Sequence, residues 1–189
     1  ITPRAGPRYP GGVHSREVLV VGGGVIGSAL AYALEREGAA VRLLEREEIG
    51  RQASSTAAGM LAPLEEPEVD DPIRVAGLAS IALLAEHIAE LRELSGIDPQ
   101  LEQSGILELA LPGATARLRR QARRLEAFDC RWLDAEEARK LEPRLANDIE
   151  GGVWSPREAH VDGLLLSRAF AGAAERRGAK IQTGVEVTG

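Results

Sequence analysis

The chain has 189 residues, of which 44% are hydrophobic, 28% charged and only 3% aromatic, and its formal charge is −6. That length holds one sizeable core or one and a half domains, and the composition excludes collagen, low-complexity disorder and a disulfide-stapled mini-protein. Cys130 is the only cysteine, which excludes an internal disulfide and a multi-cysteine metal site, and the negative balance speaks against nucleic acid or an anionic membrane as partner.

Residues 1–16 carry three prolines and little apolar content. They read as a flexible lead without the hydrophobic centre of a signal peptide. No uninterrupted apolar run approaches the roughly 18 residues of a membrane span, so a soluble, reduced, cytoplasmic protein is expected. Residues 17–21 (EVLVV) form an apolar, β-branched run whose two faces are both apolar, as in a central parallel strand covered on both sides. Gly22–Gly24 make a turn. From residue 25 to 37 the apolar residues Ile26, Leu30, Ala33 and Leu34 recur at helical spacing, and Gly38 stops the helix. Residues 40–44 form the next strand, completing a right-handed βαβ unit.

The segment 50–59 (GRQASSTAAG) is too polar for a core strand and too rich in Gly and Ser for an ordinary helix start. Pro63, Pro67 and the acids between them read as a loop. Asp71-Pro72 is an N-cap followed by proline at the first helical position. Leu78, Ile81, Leu84, Ile88, Leu91 and Leu94 then mark one face of a long helix that ends at Gly96. A strand over 106–111, a helix over 114–128, and a short helix opened by an Asp134/Glu137 capping box and closed by Pro143 follow. A strand over 152–154, a helix over 163–177 capped by Asp162, and strands over 180–183 and 185–187 complete the chain. There is no internal repeat.

Gly22-x-Gly24-x-x-Gly27 lies directly after a predicted strand and opens a predicted helix. Gly22 permits the tight turn, Gly24 lets the backbone approach a pyrophosphate, and Gly27 lets helix and strand pack closely. The helix N-terminus adds free N–H groups and a positive dipole end. Glu45 ends the second strand about 20 residues on, where a carboxylate can accept from ribose hydroxyls. Together these point to a dinucleotide site; the competing reading is a glycine turn chosen for packing, with Glu45 as a surface acid. The pattern alone does not separate FAD from NAD. The small, polar segment 51–60 favours FAD, because it can lay N–H groups and hydroxyls along an extended cofactor, while an ordinary solvated loop is the alternative.

The stretch GGGVIGSALAYALEREGAAVRLLER followed by ASSTAAGMLAP resembles the glycine oxidase branch of the D-amino-acid oxidase family of FAD-dependent oxidoreductases. The later stretch HVDGLLLSRAFAGAAERRGAKIQTGVEV is similar to that family where its chain returns to the FAD domain. The resemblance implies an α/β fold, an incomplete FAD-binding Rossmann-like parallel sheet with part of an α+β substrate domain. It implies a lead over 1–16, a first FAD-domain segment over 17–75, a partial substrate domain over 76–159 and a return to the FAD domain over 160–189. It places Gly22, Gly24, Val25, Ile26 and Gly27 under the pyrophosphate, and Glu45 and Arg46 at the adenosine ribose. It lays Ala53, Ser54, Ala58, Gly59 and Met60 along the pyrophosphate, ribityl chain and flavin ring, and offers the Val185 backbone to adenine.

The implied activity is oxidation of a small amino acid, glycine, in thiamine thiazole synthesis, with molecular oxygen as the oxidant and peroxide as a product. Hydride would pass from the substrate α-carbon to the flavin, so no side chain here need act as base and none is assigned as catalytic. The family's substrate-binding arginine and active-site tyrosine belong to a part beyond this stretch. The chain is thus expected to be an N-terminal portion, inactive alone, with its first strand as an open edge that drives homo-oligomers or aggregates. The alternatives are a related dehydrogenase or amine oxidase of the sarcosine or glycerol 3-phosphate type, or an inactive nucleotide-binding fragment.

Other features take plainer readings. Arg117, Arg119, Arg120, Arg123 and Arg124 read as a solvated helix face paired with nearby acids. His14, His87 and His160 lack metal-ligand spacing, and His160 supports the turn capped by Asp162. Ser54, Ser55 and Thr56 lack a nucleophile elbow and fit as donors to a cofactor. Cys130 packs as a small apolar residue, and Trp132 and Trp154 belong to the core or a domain junction.

Overall fold

The computed structural model describes residues 17–65 and 71–188. The lead over 1–16, with Tyr9 and His14, the acidic stretch around Pro67 and the Asp71 side chain lie outside the described residues. The chain divides into two compact units. Unit 1 takes in residues 17–58, 88–100 and 162–188 of those described, and unit 2 takes in 59–65, 71–87 and 101–161.

Unit 1 is built on β1 (Val18–Val21), α1 (Val25–Arg36), β2 (Val41–Leu44), a short helical turn α2 (Ala53–Thr56), α6 (Gly163–Arg177) and β8 (Lys180–Gln182). The three strands form a parallel sheet in the order β1-β2-β8, with Val18 opposite Val41 and Arg42 opposite Lys180. Both crossovers join parallel neighbours, as βαβ connections do. Gly38 (φ +83°) ends α1 in a left-handed conformation that L side chains disfavour. The α1 surface that is buried carries Ser28, Ala31 and Tyr32, small enough beside Tyr32 for close packing on α6. The Tyr32 ring lies 5.6 Å from that of Phe170 and the Arg36 guanidinium 5.6 Å over it. Burial and the nearby Glu90 carboxylate push the Tyr32 hydroxyl up to about 12.

Three expectations change in this unit. The predicted stripe of α1 is not its buried face: Ile26 is 82% and Leu30 47% exposed. The strand β1, at the edge of the sheet, is covered on one face instead of two, with Val20 buried but Leu19 55% and Val21 59% exposed. Residues 185–187 form no strand, because the Val185 N–H donates to the Glu45 carbonyl at 2.9 Å and Gly184 turns the chain at φ +72°. The segment 50–59 also contains the helical turn α2, which its glycine and serine content argued against.

Unit 2 contains β3 (Met60–Leu61), β4 (Ile106–Ala110), α4 (Thr115–Arg124), β5 (Arg131–Asp134), α5 (Ala135–Leu141), β6 (Gly151–Ser155) and β7 (Ala159–His160). An antiparallel sheet runs β4-β6-β5, and β3 pairs with β7. Its main core gathers Leu64, Leu78, Ile81, Leu118, Leu125 and Val153. The predicted helix over 114–128 stops at Arg124, and a 3-10 turn (Glu126–Phe128) follows before Asp129 adopts a left-handed φ of +68°. The capping box forms as expected: the Glu137 N–H donates to the Asp134 carboxylate at 2.9 Å and the Asp134 N–H to Glu137 at 3.0 Å. Cys130 is buried, 3.3 Å from the Ser155 hydroxyl, and burial pushes its thiol up.

The helix α3 (Asp71–Ser95) contributes residues 71–87 to unit 2 and its last turns to unit 1. Over Pro72–Ser95 it meets the length and composition of a membrane span. Arg74, Glu86, Glu90, Arg92 and Glu93 interrupt it, so it holds no unbroken apolar run of that length. Its inward stripe of Leu78, Ile81, Ile88 and Leu91 is buried within the protein itself.

Candidate functional site

The geometry that matters in unit 1 begins where β1 ends. Gly22 turns the chain at φ +101°, where an L side chain is strained. A Cβ on Gly27 would sit 1.9 Å from the Gly22 carbonyl oxygen, so only glycine lets the first turn of α1 lie this close to the turn before it. Gly24 is the N-cap of α1 and has no side chain to cap the helix. The N–H groups of the first turn therefore have no partner within the helix, and the positive end of its dipole is open.

Ser54 takes one of these groups. The Val25 N–H donates to its hydroxyl oxygen at 3.0 Å, which leaves the hydroxyl proton to donate elsewhere. The neighbouring hydroxyls do not share this role. Ser55 donates to the carbonyls of Arg51 and Gln52 at 2.8 and 2.9 Å, and Thr56 donates to that of Ala53 at 3.1 Å. Of the three hydroxyls read as cofactor donors, the structure leaves Ser54 at the helix N-terminus.

Glu45 stands at the tip of β2, 8% exposed. One carboxylate oxygen accepts from the Gly23 N–H at 2.6 Å and the other from the Glu47 N–H at 2.9 Å. Both bonds tie the glycine turn to the loop after β2. They occupy about two of the four lone-pair positions of the carboxylate, so acceptor capacity for hydroxyls remains. Glu45 is thus a structural pin of the turn, a role that sequence spacing did not reveal.

Two cavities flank this turn. One, of about 670 Å³, is lined by Gly22, Gly24, Val25, Ile26 and Gly27 together with Ala53 and Ser54, and extends over Leu19 and Leu30. The other, of about 240 Å³, is lined by Gly22, Glu45, Arg46, Gln52 and Val185. They share Val21 and Gly22. Ten of the residues picked from sequence are therefore gathered around one turn. Ala58 ends unit 1, and Gly59 and Met60 begin unit 2; none of the three lines either cavity. Gly59 has its own local requirement: at φ +78° its Cβ would fall 1.9 Å from the Val161 carbonyl oxygen, and its carbonyl accepts from the Val161 N–H at 2.9 Å.

Unit 2 holds a group that sequence reasoning overlooked. Glu158 is fully buried, and one of its carboxylate oxygens accepts from the Leu64 N–H at 2.7 Å. Burial pushes its carboxyl up to about 7, with the charges of Glu65 and Glu108 adding to the rise against the Leu64 and Ser155 hydrogen bonds. A lone glutamate between Arg157 and Ala159 carries no periodic signal that would mark it as buried.

The family described as FAD dependent oxidoreductase (DAO) matches residues 17–189. The glycine oxidase of Bacillus licheniformis is 33% identical over 165 residues, covering 87% of this chain and 44% of the relative. The bifunctional protein ThiO/ThiG of Trichormus variabilis is 32% identical over 175 residues, covering 93% of this chain and 27% of the relative. The crystal structure of glycine oxidase from Geobacillus kaustophilus superposes with a TM-score of 0.83 at 35% identity, over 89% of this chain and 46% of that one. The chain spans less than half the length of each. With the matched region running from the start of β1 to the last residue, and with the glycine turn, open helix terminus and terminal acid of a dinucleotide fold inside it, the chain belongs to the DAO family of FAD-dependent oxidoreductases.

Proposed function

We propose that unit 1 holds the ADP half of FAD, and that the protein of which this chain is similar to one part oxidises glycine or a comparably small amino acid. The observation that carries the reading is the convergence of Gly22, Gly24, Val25, Gly27 and Ser54 on one cavity, with Glu45, Arg46 and Val185 on the cavity beside it. The open N–H groups of α1 and the spare Ser54 proton suit the pyrophosphate oxygens. The remaining lone pairs of Glu45 suit the ribose hydroxyls. Since the Val185 N–H is engaged by Glu45, its carbonyl is the group left for the adenine amine. Ala53 brings no polar group and permits close approach. For Ala58, Gly59 and Met60, contact with the ribityl chain and flavin ring rests on the family resemblance, since the local packing of Gly59 accounts for its glycine without a ligand.

FAD, when bound, would supply the two-electron acceptor. The overall reaction would take glycine, oxygen and water to glyoxylate, ammonia and hydrogen peroxide, and the role of the residues present is to bind and orient the cofactor. The experiment is a peroxide assay on the protein extended to the length of its relatives, supplied with FAD and with glycine, sarcosine or glycerol 3-phosphate in turn. Glycine-dependent peroxide above the other two is expected. Preference for glycerol 3-phosphate would overturn the amino-acid assignment, and preference for sarcosine would move it to a secondary amine.

A further inference from the structure

The Gly23 peptide, between the first two glycines of the turn, is enclosed by the loop that follows β2. Its N–H donates to Glu45 at 2.6 Å, and its carbonyl accepts from the Gly50 N–H at 2.9 Å and the Ser28 hydroxyl at 3.3 Å. Ile49 stands over its Cα, where a Cβ would fall 2.4 Å from the Ile49 Cδ1. Two of these contacts thus come from residues 49 and 50, at the end of the loop away from β2. That end is seated on α6. Gly50 is buried at φ +77°, and a Cβ on it would lie 2.9 Å from the Ser167 Cβ and 3.0 Å from the Leu164 Cδ1. Ser167 is fully buried, and its hydroxyl donates to the Gly163 carbonyl at 2.7 Å, so the helix surface under Gly50 has little room to yield.

Gly50 meets two demands at once. Its backbone conformation is one that L side chains disfavour, and it approaches α6 too closely for a methyl group. A side chain there would lift the loop from α6 and draw the Gly50 N–H away from Gly23. The effect would reach the open helix terminus, because Gly24, the N-cap of α1, is the next residue along the turn. A turn that is ordered in only a fraction of the molecules lowers the apparent affinity of its ligand by that fraction. We infer that Gly50 is a positioning residue of the cofactor site: seated on α6, it holds the glycine turn in its binding form before the cofactor arrives. This inference rests on unit 1 being the site for the ADP half of FAD.

The test compares Gly50→Ala with Gly38→Ala in the protein extended to the length of its relatives. Gly38 carries the same kind of strain at φ +83°, but a Cβ there meets nothing within 4 Å, and it lies beyond the far end of α1. Amide hydrogen exchange over residues 20–28 is measured without FAD, and FAD affinity by fluorescence titration. Gly50→Ala should speed exchange in that stretch and weaken FAD about 10-fold. Gly38→Ala should leave both as in the parent. Ile49→Ala removes the contact over Gly23 without backbone strain; it should give the same two changes to a smaller extent, and it decides the matter if Gly50→Ala does not fold. Parent affinity in the folded Gly50→Ala variant, or in Ile49→Ala where it stands in, overturns the role. Equal weakening by Gly38→Ala also overturns it, since general destabilisation would then account for the loss. A parent protein that binds no FAD while Gly50→Ala still speeds exchange overturns the flavin reading, so the two failures are distinguishable.

Discussion

At the scale of single residues, Glu45 and Glu158 are buried carboxylates with opposite consequences. Glu45 satisfies two backbone N–H groups, so removing it unpins the glycine turn as well as any ribose contact. In the protein extended to the length of its relatives, Glu45→Ala should weaken FAD by about 1.5–3 kcal/mol, and FMN by clearly less, because FMN lacks the adenosine half. Parallel fluorescence titrations check this; equal losses would assign Glu45 to the turn alone. Glu158 is raised to about 7 in the folded state from 4.5. The folded state therefore binds the proton more tightly than the unfolded chain, and the stability linked to that proton is fully present below pH 4.5. It is lost as pH rises to about 7 and is flat above. Glu158→Gln, which keeps an acceptor for the Leu64 N–H, should remove this slope. It should stabilise the protein at pH 8 by about 2–3 kcal/mol relative to its effect at pH 5. Chemical denaturation at the two values measures the difference.

At the scale of elements, what was legible in sequence was what is decided locally. The capping box of α5 was readable because Asp134 and Glu137 meet within one turn. Asp134→Ala should cost about 1 kcal/mol, read as a lower denaturation midpoint with unchanged slope. The strand β5 was missed for the opposite reason. Arg131, Trp132 and Leu133 alternate weakly, and their pairing with Trp154, Val153 and Gly152 is set by a partner some twenty residues away. Residues 185–187 looked like a strand by composition, but a strand needs a neighbour, and Val185 bonds instead to the loop at Glu45. The helical stripe of Ile26 and Leu30 had the correct spacing and the wrong face, since the small residues Ser28 and Ala31 permit the closer packing on α6. In the candidate site, the glycines and Glu45 were legible from spacing. The division of labour among Ser54, Ser55 and Thr56 was not, because it depends on which backbone group each hydroxyl meets.

At the scale of the whole molecule, the order β1-β2-β8 leaves one side of β1 without a hydrogen-bonded neighbour among the described residues. Leu19, Val21, Ile26 and Leu30 together expose an apolar surface beside it. Such an edge templates pairing with another chain. The 189-residue chain by itself is therefore expected to self-associate through this edge. Sedimentation velocity checks this: Leu19→Lys with Val21→Lys should shift the distribution towards monomer, and a parent chain already monomeric would contradict the role given to the edge.

The central claim is that the glycine turn, Ser54 and Glu45 form an FAD site rather than a nicotinamide site. Titration of the protein, extended to the length of its relatives, with FAD and NADH in parallel tests it most directly. Saturable FAD binding that NADH does not displace is expected; NADH binding that excludes FAD would make this a nicotinamide site instead.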